Sequence, residues 1–278
     1  MEATHLTRRC DDDSNLEHEF GRALENNEFE LHYQPQVRLH DGRTIGIEAL
    51  LRWRHPSRGM LAPQDFLKLL EENPISAEVG AEVIDIAFRD ISKALQASKM
   101  PPVRIAVNLF PSQFSLANLA ETILSSASLY GLPPAMIEIE ITERVALDCY
   151  RAGTNCALRK LRDAGCYISL DDFGTGYGSM DTVIRFPINK LKIDRRFVAR
   201  LGSCQKSEAV VKTILSLAKQ LDMSVTAEGI ETEAQLRLLI EYGCHAGQGY
   251  FYAKPMPFEK LQMWLLQENC SRIDREAS

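Results

Sequence analysis

The chain has 278 residues, 45% of them hydrophobic and 25% charged, with a formal net charge of −6. That length and apolar content suffice for one large or two small packed domains and exclude a disordered or collagen-like chain. The acidic balance argues against a general nucleic-acid binder, which needs a basic surface; a phosphate-bearing ligand would need local positive charge from a metal or a few Arg and Lys.

In chain order, Met1–Asn15 is polar, carries Asp11, Asp12 and Asp13, and reads as neither a signal nor a transit peptide. Residues 1–15 are expected to form a polar N-terminal segment that frays. Strands are predicted at Phe29–Leu39 and Thr44–Trp53, joined by a short polar turn at Asp41-Gly42; such a turn makes a hairpin, so the first strand should run antiparallel to the second. Apolar residues at three- and four-residue spacing predict helices over Ala77–Ser98, Leu116–Tyr130, Ala152–Ala164, Ser207–Leu221 and Glu233–Tyr242. Six further strands alternate with them: Arg104–Phe110, Ile137–Thr142, Tyr167–Phe173, Lys190–Asp194, Ser224–Ile230 and Ala246–Tyr252. Eight strands alternating with helices predict an α/β fold, a modified TIM (β/α)₈ barrel with its first strand antiparallel. Residues 16–268 would form this domain and 269–278 a polar, frayed tail. No apolar run reaches the ~20 residues of a membrane span, so no membrane contact is expected. The seven cysteines make no C-x-x-C pair and read as reduced structural thiols of a cytoplasmic protein.

The phase of the strands carries the functional information. Strands covered on both faces normally read as unbroken Val/Ile/Leu runs. Here Ile137, Ile139 and Ile141 alternate with Glu138, Glu140 and Thr142. The same parity sets Ile105, Val107 and Leu109 against Asn108, and Leu191 and Ile193 against Lys190, Lys192 and Asp194. It also sets Val225 and Ala227 against Thr226 and Glu228, and Ile45 and Ile47 against Glu48. If the apolar row packs on the helices, the polar row points into the barrel. Carboxylates converging there require cations, water or both, and the polar residues fall late in their strands, at the end where barrel active sites are built.

These residues sit in motifs: Glu48-Ala49-Leu50-Leu51-Arg52-Trp53 followed by His55-Pro56; Val107-Asn108-Leu109; Glu140-Ile141-Thr142-Glu143; Asp171-Asp172-Phe173-Gly174-Thr175-Gly176-Tyr177; Lys192-Ile193-Asp194; Ala227-Glu228-Gly229-Ile230-Glu231; and Gln248-Gly249-Tyr250. In this order they resemble the EAL-domain family of bacterial cyclic di-GMP phosphodiesterases, over about Leu16 to Leu266. The resemblance implies metal-dependent hydrolysis of one phosphodiester bond of cyclic di-GMP, giving linear pGpG. It implies that Glu48, Asn108, Glu140 and Asp171 hold one divalent ion and that Asp171, Asp172 and Glu228 hold a second, with Asp171 bridging. Oxygen ligands of this kind suit Mg²⁺ or Mn²⁺, two ions per site. Glu48, Asp171, Glu228 and Lys192 are the implied catalytic residues. Lys192 would orient the nucleophilic water and stabilise negative charge; among carboxylates its pKa should rise, which favours the electrostatic role. Gln34, Leu50, Arg52, Asp194 and Gln248 fall at substrate-binding positions, Arg52 suited to a phosphate. Glu143 matches the anchor of a mobile loop containing Gly174, Thr175 and Gly176, and Glu231 a residue that holds water or the lysine. A homodimer contact through the helix near Ser179–Arg185 is also implied.

Three departures stand out from the family's pattern: His245 replaces a common acidic residue, Phe110-Pro111 replaces small residues, and Gly178 replaces a serine. His245 is expected to alter the orientation of site residues at most, and Gly178 to loosen the loop. Two other readings compete: a catalytically silent EAL module that binds cyclic di-GMP or a protein, and a barrel enzyme of the enolase kind. The Asp171-Asp172 pair and the Glu48/Arg52 spacing speak against the enolase reading.

Overall fold

The polar turn at Asp41-Gly42 does fold the chain back on itself. In the computed structural model, which describes residues 16, 18–98, 100–152, 156–174 and 180–276, β1 (Phe29–Arg38) lies antiparallel to β2 (Thr44–His55). Gly42 takes φ +69° in the turn, and the register sets Gln34 opposite Glu48 and His32 opposite Leu50. A short strand, β3 (Gly59–Leu61), adds to the far edge of β2.

From there the sheet is parallel: β4 (Arg104–Asn108), β5 (Ile137–Thr142), β6 (Tyr167–Phe173), β7 (Lys190–Ile193), β8 (Ser224–Ala227) and β9 (Ala246–Gly247). β1 pairs with both β9 and β2, so eight strands close into a barrel with β1 antiparallel to each neighbour. The helices are α1 (residues 18–25), α2 (Pro63–Glu72), α3 (Ser76–Ser98), α4 (Leu119–Leu129), α5 (Glu143–Ala152), α6 (Cys156–Asp163), α7 (Met180–Arg185), α8 (Arg195–Val198), α9 (Gln205–Gln220), α10 (Glu233–Glu241) and α11 (Phe258–Glu276). The outward strand row, including Ile47, Ile105, Ile139, Ile168, Leu191 and Val225, is buried under this shell. Full burial of such side chains contributes about 1.5–3 kcal/mol each. The polar row is left to face the barrel axis.

The structure corrects several expected boundaries. Only Ala246–Gly247 of the segment Ala246–Tyr252 is strand; beyond it the chain turns across the end of β8, with Ile230 donating to Gln248 O and Phe251 donating to Ile230 O. Gly249 permits that crossing, since a Cβ there would lie 2.1 Å from Ile230 O. The helix expected over Ala152–Ala164 is found as α6, Cys156–Asp163, whereas α5, Glu143–Ala152, lies before it outside the predicted helices; α5 starts directly after β5, where Val145 N donates to Thr142 Oγ1. The stretch from Leu116 is preceded by a 3₁₀ turn, Pro111–Ser115, and α4 begins only at Leu119. α2, with Pro at its start, lies outside the predicted elements. α11 continues past Asn269 to Glu276, and Asn269 Nδ2 donates to Ser98 O. Residues 1–15 lie outside the described residues.

Candidate active site

Five strand ends deliver one side chain each to the axis. Glu48 comes from β2, Glu140 from β5, Asp171 from β6, Lys192 from β7, and Glu228 follows β8 directly. Lys192 is fully buried. Its Nζ lies 2.7 Å from Glu140 Oε2, 2.8 Å from Glu228 Oε1, and 3.2 Å from both Glu48 Oε1 and Asp171 Oδ2. Asn108, at the end of β4, donates through Nδ2 to Glu48 Oε1 at 3.4 Å and Glu140 Oε2 at 3.2 Å. Gln248, just past β9, donates through Nε2 to Glu48 and to Glu228 Oε1.

The electrostatics follow from this geometry. Burial opposes charge on Lys192, but Asp171, Glu140, Glu228 and Glu48 outweigh it and push its pKa well above the ordinary lysine value. Burial also opposes the Glu48 carboxylate; Lys192 and the hydrogen bond from Gln248 prevail, and its pKa is lowered. Glu140 goes the other way, raised well above the usual range by burial and then by Glu48. Glu228 is pushed up to about 8, chiefly by burial. Four acids around one ammonium cannot all ionise cheaply.

Ligand oxygens of Glu48, Asp171 and Glu228 lie within 4.8 Å of one another. Buried Glu140 Oε1 and Gln248 Oε1 have no hydrogen-bond partner among the described residues. An all-oxygen donor set with unpartnered acceptors fits a hard divalent cation. Asp172 stands beside this group and is more exposed, in left-handed backbone with φ +54°. It shares a hydrogen bond with Asp194, and burial, then the Asp171 charge, raises its pKa to about 7. Asp194 is itself buried, caps α8 and accepts from Arg196 N.

The remaining expected residues divide. Glu143, at the start of α5, accepts from Gly174 N at 3.0 Å through Oε1, and Gly174 has φ +93°; the expected loop anchor therefore touches the expected loop. Thr175, Gly176 and Gly178 lie outside the described residues. Leu50 lines a cleft with Glu48, Asn108, Thr142, Asp171 and Asp172. Arg52 is half-buried and donates to Leu51 O, while Gln34 donates to Ala253 O. Glu231 is not brought into the lysine's shell: its side chain is exposed and its backbone N donates to Gln235 at the start of α10. His245 precedes β9, at the end of the barrel opposite the carboxylates, and reaches none of them. What sequence reasoning leaves unpaired on the inward row is a second buried couple, Lys190 with Glu138, one level below. Its signal was the same two-residue parity that marked Lys192 and Glu140.

The family model "EAL domain" matches residues 17–255. The bifunctional diguanylate cyclase/cyclic di-GMP phosphodiesterase MucR of Pseudomonas aeruginosa is 39% identical over 246 residues, covering 88% of this chain and 36% of that protein. The cyclic di-GMP phosphodiesterase RocR of the same organism is 37% identical over 236 residues, 85% of this chain and 59% of that protein. The chain thus spans about a third to three fifths of the length of these curated relatives. A solved structure, the PaMucR phosphodiesterase in complex with c-di-GMP, superposes with a TM-score of 0.82 at 38% identity, covering 89% of this chain and 99% of that one.

Proposed function

This chain belongs to the EAL-domain family, and from that premise and the geometry of the barrel end we propose that it is a metal-dependent phosphodiesterase hydrolysing cyclic di-GMP to linear pGpG. The observation that carries the reading is the four-carboxylate cage around the fully buried Lys192. Glu48, Asn108, Glu140 and Asp171 would hold one Mg²⁺ or Mn²⁺, and Asp171, Asp172 and Glu228 a second. When bound, two such ions supply a water of lowered pKa and neutralise charge on the phosphoryl oxygens.

The chain's own side chains do the rest. Lys192 stays protonated and holds a positive charge beside the reacting phosphate, orienting the water rather than removing its proton. Gln248 fixes Glu48 and Glu228 relative to each other through a shared amide. Arg52, close to the cleft and always charged, pairs with a substrate phosphate. Gln34, Leu50 and Asp194 complete the substrate walls. Glu143 holds the segment after β6 by its contact with Gly174, and thereby places Asp172.

Residues 16–268 constitute the phosphodiesterase domain, preceded by the polar segment 1–15, and α11 carries on from it through the polar residues that follow to Glu276. Ile184 on α7, 74% exposed, supports a homodimer through that helix. No helix among the described residues is long and apolar enough to cross a membrane, and a cytoplasmic location suits an intracellular nucleotide substrate.

The test is incubation of the purified protein with cyclic di-GMP and Mg²⁺ or Mn²⁺, followed by nucleotide chromatography. Appearance of pGpG is expected. Binding without product would instead identify a receptor, and neither binding nor product would overturn the reading.

A further inference from the structure

Below the cage lies a second pair of opposite charges that the catalytic reading does not use. β7 presents Lys190 and Lys192 on one face, and β5 presents Glu138 and Glu140. None of the four is more than 2% exposed. The upper couple, Lys192 with Glu140, belongs to the cage. In the lower couple, Lys190 Nζ lies 2.7 Å from Glu138 Oε1 and 3.0 Å from Oε2, and it also donates to Gln36 Oε1 at 2.9 Å.

Residues two apart on a strand are separated by about 6.6 Å, a distance that a flexible lysine stem can span. Lys192 could therefore serve Glu138 as well as Glu140, and which carboxylate it serves depends on whether Glu138 is already occupied. A buried carboxylate without a cation is strongly disfavoured. We propose that Lys190 is a positioning residue: by occupying Glu138 it keeps the lower level closed to Lys192 and holds the Lys192 ammonium up among Glu48, Glu140, Asp171 and Glu228. The consequence for rate rests on the reading of Lys192 given above. One other cation is at hand, Arg104, whose Nε is 3.7 Å from Glu138. Its guanidinium is already stacked over Tyr167, 4.1 Å from the ring centroid, and its planar fork is less free to re-aim than an ammonium.

The experiment compares wild type, Lys190→Met and the double variant Lys190→Met/Glu138→Gln by steady-state kinetics with Mn²⁺ and cyclic di-GMP, and by crystal structures. In Lys190→Met, kcat is expected to fall about tenfold or more with KM within about threefold of wild type, and Lys192 Nζ to leave Glu140 for Glu138. The double variant removes the competing carboxylate, so kcat is expected within about threefold of wild type and Lys192 back on Glu140. Loss of packing alone would show no such rescue. Three results overturn the proposal: Lys192 still on Glu140 in Lys190→Met with Arg104 on Glu138, wild-type kcat in that variant, or a folded double variant as impaired as the single. Should Lys190→Met not fold, Lys190→Gln, which keeps a hydrogen-bond donor beside Glu138 but no cation, takes its place: Lys192 displaced toward Glu138 with lowered kcat supports the proposal, and Lys192 on Glu140 with near-wild-type kcat sinks it. If wild type itself makes no pGpG, the catalytic reading fails while the crystallographic arm still decides the position of Lys192.

Discussion

Lys192 is surrounded at the residue scale by more negative charge than it can neutralise, and its replacement separates its roles. Lys192→Met removes the cation but not the carboxylates, so kcat is expected to drop about 10²–10³-fold. Arg52→Ala, by contrast, removes the half-buried guanidinium proposed as a phosphate partner and is expected mainly to raise KM for cyclic di-GMP, about tenfold. A variant with the reverse pattern would mean that the two charges are assigned the wrong way round. The acids add a pH dependence whose sign is fixed. Glu228 is held protonated up to about 8 and Asp172 up to about 7, and a carboxyl must lose its proton to ligate a cation. Affinity for Mn²⁺ should therefore rise with pH through 7 and 8 and level off above. Calorimetry in buffers of different ionisation heat is expected to show proton release at pH 7 that has disappeared by pH 9. Both groups bind protons more tightly folded than unfolded, so their contribution to metal-free stability is fully present below the ordinary carboxylate range and is lost as pH rises from there to about 7 for Asp172 and about 8 for Glu228.

Two elements control how these residues are presented. The segment after β6 is tied to α5 by Glu143 and Gly174, so Glu143→Ala is expected to raise the Mn²⁺ concentration needed for half-maximal turnover while leaving the unfolding midpoint in urea within about 0.5 M of wild type. The turn after β9 is tighter still. In Gly249→Ala the new methyl would meet the Ile230 backbone oxygen at 2.1 Å, an atom that cannot swing aside as a side chain can, so Gln248 is expected to move and release Glu48 and Glu228, at a cost of about 1–3 kcal/mol in stability together with loss of turnover. That turn also shows where the sequence stopped being legible. The inward row could be read because a strand's period of two is local, and Glu48, Asn108, Glu140, Asp171, Lys192 and Glu228 do meet at one barrel end. The run after Ala246 has the same apolar character, but Gly249 crosses Ile230, a contact that no local pattern encodes. Glu231 meets a related limit: its spacing from Glu228 matches a motif, and the chain turns into α10 there and leaves the side chain exposed, away from Lys192.

For the whole molecule, part of the acidity behind the formal net charge of −6 has a particular location. Five carboxylates, Glu48, Glu140, Asp171, Asp172 and Glu228, crowd one end of the barrel, where two divalent ions would add four positive charges. Part of the acidity that argues against broad nucleic-acid binding thus lies where a phosphodiester could be captured with metal present. Crowding of this kind costs stability unless cations relieve it, and β2, β5, β6 and β8, which supply or directly precede these groups, are barrel strands held by the same closed sheet. Metal binding should therefore stabilise the entire domain rather than one loop. At a free Mn²⁺ concentration one hundred times its Kd, a single site contributes about 2.7 kcal/mol. For a domain of this size each kcal/mol moves Tm by about 2–4 °C, so calorimetric scans with Mn²⁺ should melt about 5–10 °C higher than scans with chelator. In Asp171→Ala, which takes out the proposed bridging ligand, that gain is expected to shrink to about 2 °C or less while the chelated protein melts no lower than wild type, since one like charge has left the cage. A full Mn²⁺-dependent gain in Asp171→Ala would place the stabilising metal somewhere other than this barrel end.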